Sequence, residues 1–179
     1  MYKHLIIVFI GFFLFGCVHE YYKKQDVVIK KIAVLPFQNF TSDEYAGEKI
    51  RSLVITELLL RGIDVVEPGE VTRRLKELNT PLYSLGISQI QNIGETLQVD
   101  AVMIGNVEKF DIVRGASFTY PEVTVNMRLI DPKSGNIIWS VRTTSGGPTL
   151  SMRYFGTEPP SLSETARKTV KDAVNTLFK

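Results

Sequence analysis

Cys17 is the only cysteine of this chain, and with His4 and His19 it completes the set of side chains able to act as a soft nucleophile or as a neutral base near pH 7. From Val28 to the C-terminus there is no cysteine and no histidine. Histidine-based proton transfer, Cys–His nucleophile pairs and metal sites built from nitrogen and sulfur ligands are therefore excluded from the body of the chain. The surviving chemistry is that of the Cys17 thiol, and its neighbours define it. Lys3 precedes an apolar run from Leu5 to Phe15, and the segment closes with Leu14-Phe15-Gly16-Cys17. A basic start, an apolar core within the roughly 7 to 15 residues of a secretory signal and a small residue before the cut are the parts of an export signal. The run is shorter than the roughly 20 residues of a spanning helix.

A leucine three places before cysteine, with Gly16 between them at the cut, has the form of a bacterial lipoprotein signal. The thiol then takes a diacylglyceryl group, the signal is removed between Gly16 and Cys17, and the new amino terminus is acylated. A buried thiol at the end of an ordinary secretory signal, or of an uncleaved anchor, is the alternative. As a thioether Cys17 forms no disulfide, and several acyl chains give stable attachment to a membrane. Val18 follows Cys17, where enteric inner-membrane lipoproteins carry Asp, so the expectation is a protein anchored by lipid to the outer membrane and facing the periplasm.

The carboxylates offer less. Asp43, Glu44 and Glu48 stand at the start of a helical pattern, where the helix dipole favours negative charge, so their reading is helix-end stabilisation and not calcium binding or acid–base chemistry. Gly146-Gly147-Pro148 follows a strand, but no Lys-Ser/Thr continues it into a phosphate-binding loop. The chain is read as a non-enzyme with no cofactor, no metal and no small-molecule substrate. Two aromatic segments are the candidate partner contacts. One is Phe118 and Tyr120, with Phe110, Ile112 and Arg114 nearby; the other is Arg153-Tyr154-Phe155. Aromatic residues and arginine dominate protein contacts, and the 145–160 connection has no periodicity of its own.

Removing the signal leaves Lys3 behind, so 20 basic residues oppose 19 acidic ones in the mature chain, from 21 and 19 in the whole. That balance lacks the basic surface nucleic acid requires. The reading divides the chain into a signal at 1–16, a lipidated cysteine and short tether at 17–30, and one domain at 31–179. The tether shows no strand or helix period and spans at most about 45 Å.

In the domain, Lys31–Phe37 is a β-branched run stopped by Pro36, and Ala46, Ile50, Val54 and Leu58 make a helical stripe ending near Gly62. Ile63–Glu67 reads as a strand, Pro68 opens a second helix, and Ser88–Gln91 has the form of a capping box opening a third. Asp100–Val107 reads as a covered strand, apolar on both faces. Glu122–Ile130 alternates, turns through Asp131–Asn136 and pairs with Ile137–Thr144 as a hairpin. Ser161–Glu164 is a second capping box, opening a final helix to the C-terminus. The order βαβααβββα predicts an α/β (α+β) domain, with a mixed sheet of about five strands and about four helices.

Four of these stretches together, Ile32–Phe37 with Asn39-Phe40-Thr41, Val65-Val66-Glu67, Asp100–Val107, and Val125–Asp131 leading through Gly135 to Ile138-Trp139-Ser140, resemble the CsgG/LpoB-like lipoproteins. The resemblance spans 31–179. It implies an α/β domain on the periplasmic face of the outer membrane, working through protein contacts. Within that family one relative is a curli secretion channel subunit and another an activator of a peptidoglycan synthase. The connections 111–120 and 145–160, of about 10 and about 16 residues, leave no room for a membrane hairpin, whose strands each take about 9 to 11. The partners implied are a membrane through the anchor, and an envelope protein or further copies of the chain.

Overall fold

Pro36 splits the first apolar run. In the computed structural model, which describes residues 20–23, 28–79, 81–115 and 118–178, β2 (Lys31–Val34) ends just before it, and β3 (Gln38–Asn39) resumes beside the same neighbour. Proline has no N–H for the ladder, so the strand breaks there. The chain begins with β1 (Glu20–Lys23) and continues after β3 through α1 (Ala46–Leu59), β4 (Asp64–Val65), α2 (Pro68–Leu78) and α3 (Ile87–Leu97). Three long strands follow: β5 (Ala101–Arg114), β6 (Thr119–Ile130) and β7 (Ile137–Gly146). A six-residue helix, α4 (Leu150–Phe155), precedes α5 (Leu162–Asn175).

The strands form one mixed sheet in the order β1-β7-β6-β5-β2-β4, with β3 paired to β5 beyond the end of β2. Pairing is parallel among β4, β2 and β5 and antiparallel from β5 through β6 and β7 to β1. On one face α1 and α5 enclose a core built on Ile32, Met103, Met127, Leu129 and Trp139. On the other, α2 and α3 cover only the parallel side, around Ala33, Leu35, Val71, Ile93 and Val102. Among the described residues, no helix packs on the antiparallel side of that second face.

The α/β (α+β) architecture agrees with the sequence expectation; among the described residues it has seven strands and five α-helices in place of about five and four. The two added strands, β1 and β3, are short. β1 falls in the stretch read as a tether: Glu20 pairs with Arg142 and Lys23 with Trp139, so the chain docks on the free edge of β7. Four residues with only two alternations give no period to detect, and the strand exists because that edge has ladder groups to satisfy.

The 111–120 connection is also strand at 111–114 and 119–120. β5 and β6 run as one hairpin to Arg114↔Thr119, closed by the Gly115 N–H donating to the Phe118 carbonyl at 2.9 Å. Polar residues such as Asp111 and Glu122 obscured it: Asp111 is exposed and Glu122 only half-buried. The third helix is capped two residues earlier than expected: Gly86 is its N-cap, and Gln89 Oε1 accepts from the Gly86 N–H at 3.1 Å. At α5 the expected cap forms, with Ser161 Oγ accepting from the Glu164 N–H and Glu164 Oε2 accepting from the Ser161 N–H at 2.8 Å. Those bonds, first from the Ser161 backbone, hold the Glu164 carboxyl below the usual carboxylate range.

Candidate interaction site

Gly16 and Cys17 lie outside the described residues. The position of β1 nonetheless fixes where the chain reaches the domain. Because Glu20 stands opposite Arg142 and the strand runs toward Trp139, the chain enters β1 from the side of Thr143 to Gly146. In the ladder, Gly146 pairs with Glu122 and Glu122 with Asp111, so this is also the end where the β5–β6 hairpin projects. Both aromatic segments singled out in the sequence are therefore brought to one end of the sheet.

The second segment forms α4. Thr149 caps the helix by accepting from the Met152 N–H at 3.2 Å, and Gly156 ends it in a left-handed conformation. Met152 is buried and pins the helix to the domain, while Leu150, Tyr154 and Phe155 are 70, 76 and 82% exposed. Three large apolar side chains in water on a helix this short form a contact surface without an occupant in the domain itself. Arg153 lies within α4, and its side chain is outside the described residues.

The first segment divides. Phe110 is buried in the core, whereas Phe118 and Tyr120 are half-buried at the hairpin end and Ile112 is 51% exposed. Beside them the starts of α1 and α5 frame an open cleft of about 880 Å3, to which Asp43, Tyr45, Ile112, Arg114 and Leu162 contribute. Tyr45 is exposed, as is Phe40 just before it. Asp43 has a structural role here. Asp43 Oδ1 accepts from the Tyr45 N–H at 2.9 Å, and Lys49 lies 2.7 Å from Asp43 Oδ2, the contact that chiefly holds this carboxyl below its ordinary range. Among the described residues no three His, Cys, Asp or Glu side chains are grouped as a metal would need.

The glycines after β7 also have a backbone explanation. Gly146 has φ +116°, and a Cβ there would stand 2.0 Å from the Pro121 carbonyl oxygen, so the ladder with β6 closes only without a side chain. What sequence reasoning missed is the uncovered sheet face, where Asn106, Asn126 and Arg128 stand side by side. The signal present was an Asn inside an otherwise apolar strand.

No family model matches the chain, and no curated protein does. Solved structures do. The PelC dodecamer from Paraburkholderia phytofirmans superposes with a TM-score of 0.66 at 20% identity, over 90% of this chain and 97% of that one. Lipoprotein GNA1162 from Neisseria meningitidis gives 0.61 at 17% identity, over 83% and 98%. LpoB of Escherichia coli gives 0.50 at 17% identity, over 68% and 60%. The fold is LpoB-like. At these identities the likeness concerns the fold.

Proposed function

We propose that this protein is a non-enzymatic lipoprotein, anchored through acylated Cys17 to the outer membrane, whose periplasmic domain assembles with further copies of itself. The observation that carries the reading is the register of β1 on β7. It leaves two residues, Val18 and His19, between Cys17 and the start of β1, a leash of at most about 10 Å. The end of the domain bearing α4 and the β5–β6 hairpin is thus the one held against the bilayer. Exposed Tyr154, Phe155 and Leu150 suit that boundary, where amphipathic and aromatic side chains collect. Among the described residues no helix is long and apolar enough to cross a membrane, in keeping with attachment through lipid. Self-assembly is supported by the PelC dodecamer, whose chain shares this fold over nearly all its length.

The test is expression of the full chain and of Cys17→Ala in a bacterial envelope. The parent is expected in the outer-membrane fraction, with the mass of the acylated chain from Cys17 onward, and as a multiple of that mass after extraction in mild detergent. The variant is expected in the soluble periplasm. A Cys17→Ala protein that remains in carbonate-washed membranes sinks the anchor, and an extracted monomer sinks the self-assembly.

A further inference from the structure

Two apolar features at the anchored end of the domain have no counterpart within it. One is α4, whose Leu150, Tyr154 and Phe155 stand out in water. The other is the open cleft between the hairpin end of β5 and the starts of α1 and α5, where Tyr45 and Ile112 are both more than half exposed. A knob and a hollow of the same character thus stand unmated on one chain.

The chain itself holds them apart. α4 follows β7, whereas the cleft opens beside β5, two strands away in the sheet. The link from α4 to α5, residues 156–161, is exposed along its length and contains Pro159-Pro160, whose rings fix φ at two successive positions. A link of that kind is a stiff spacer, and no described residue of α4 lines the cleft. A second copy has no such restraint. Charge agrees with that occupant: Lys49 matches Asp43, which leaves Glu44 and Asp111 against Arg114 in the cleft, and the one charged residue of α4 is the cation Arg153.

Helix geometry divides the apolar groups of α4. Leu150 and Tyr154, one turn apart, share the face that meets the bilayer boundary, and Phe155 follows Tyr154 by about 100° around the axis, off that face. We propose that Phe155 of one copy seats in the cleft of a second copy, beside Tyr45 and Ile112, with Glu44 and Asp111 of that cleft complementing the cationic helix. The inference rests on the self-assembly proposed above and names the two surfaces that carry it. Because knob and cleft are different patches, each copy gives its knob to one neighbour and its cleft to another, and the contact continues around a ring. Both patches lie at the end held by Cys17, so rotation about an axis normal to the membrane keeps every anchor in the bilayer. Anchoring also raises the effective concentration of the copies, so a contact centred on one aromatic side chain suffices.

Membranes from cells making two distinguishable full-length chains test this, one carrying Phe155→Cys and the other Ile112→Cys. Cys17 is the only native cysteine, and its sulfur is a thioether in the lipidated chain, so the introduced pair reports one contact. Mild oxidation is expected to link the two chains to each other, and a chain with both substitutions should give a ladder beyond the dimer. Phe155→Glu or Ile112→Glu should each bring the detergent-extracted complex down to the mass of one copy with an unchanged circular dichroism spectrum, since the two residues are 82 and 51% exposed. The proposal is overturned if Phe155→Cys links to itself or to a different envelope protein instead, or if both Glu variants keep the mass of the parent. A parent extracted as a multiple whose chains do not link overturns this contact alone; a parent extracted as one copy, with no linked chains, overturns the assembly reading as a whole.

Discussion

Gly94 of α3 sits directly on Pro132 in the β6–β7 turn: a Cβ at residue 94 would come within 2.2 Å of the proline Cβ. The helix that covers the parallel side of the sheet is thereby keyed to a turn of the antiparallel side. Gly94→Ala is expected to destabilise the domain by about 1–3 kcal/mol through overpacking, although alanine favours helix. Thermal denaturation measures the loss, and in a double-mutant cycle Pro132→Gly, which removes the Cβ that the new methyl meets, should recover part of it. A single variant as stable as the parent would show that the contact yields at no cost.

Trp139 is the only tryptophan, fully buried, and its Nε1–H donates to Thr176 Oγ1 at 3.0 Å. Thr176→Val keeps the shape and removes the acceptor, leaving a buried N–H unmet at about 1–3 kcal/mol. Urea unfolding followed by Trp139 fluorescence should show a lower midpoint at unchanged slope, since the surface exposed on unfolding is the same.

Within α4 the two sides should separate. Leu150→Ser with Phe155→Ser removes exposed groups and should change stability by no more than about 0.5 kcal/mol. Met152→Ala removes the buried pin and should cost about 2 kcal/mol or more. In vesicle flotation, the unlipidated Cys17→Ala protein should lose residual membrane affinity on adding the double serine change. Equal flotation with and without that change would separate α4 from the membrane.

Acid should weaken the start of α5. The Glu164 carboxyl is held below its unfolded value by the Ser161 N–H and hydroxyl. A depressed folded value means that its stabilising share is complete above the unfolded range near 4.3, and is lost as pH falls through that range and on through the folded value. The melting temperature should therefore fall between about pH 5 and 3, with Glu164→Gln flattening part of that fall. A Glu164→Gln profile parallel to the parent's would remove this carboxylate from the account.

Much of the fold could be read locally. The Leu162, Ala166, Val170 and Ala173 stripe with its Ser161/Glu164 box identified α5, and the alternation of Val123 to Leu129 with turn formers at 131–136 identified the β6–β7 hairpin. β1 could not be read, because four residues beside a lysine pair carry no period. The far half of the β5–β6 hairpin could not either, because outside the sheet centre both its faces meet solvent and alternation is lost. Of the candidate contacts, Tyr154 and Phe155 stand exposed, but their helix was missed since six residues are fewer than two turns.

By itself the sequence determined the local periods, the caps and the exclusion of histidine and cysteine chemistry from the domain, since each depends only on residue type and near spacing. The tertiary structure decided which edges meet. Nothing in Glu20–Lys23 names β7 as its partner, and nothing in Gln38 announces Asn106, 68 positions along the chain, as its neighbour. Partner choice follows from burying two faces of a sheet and satisfying its edges at once, and that balance belongs to the whole chain. The same balance leaves α4's aromatics uncovered at the end where the chain enters, and an open cleft there that no single element contains.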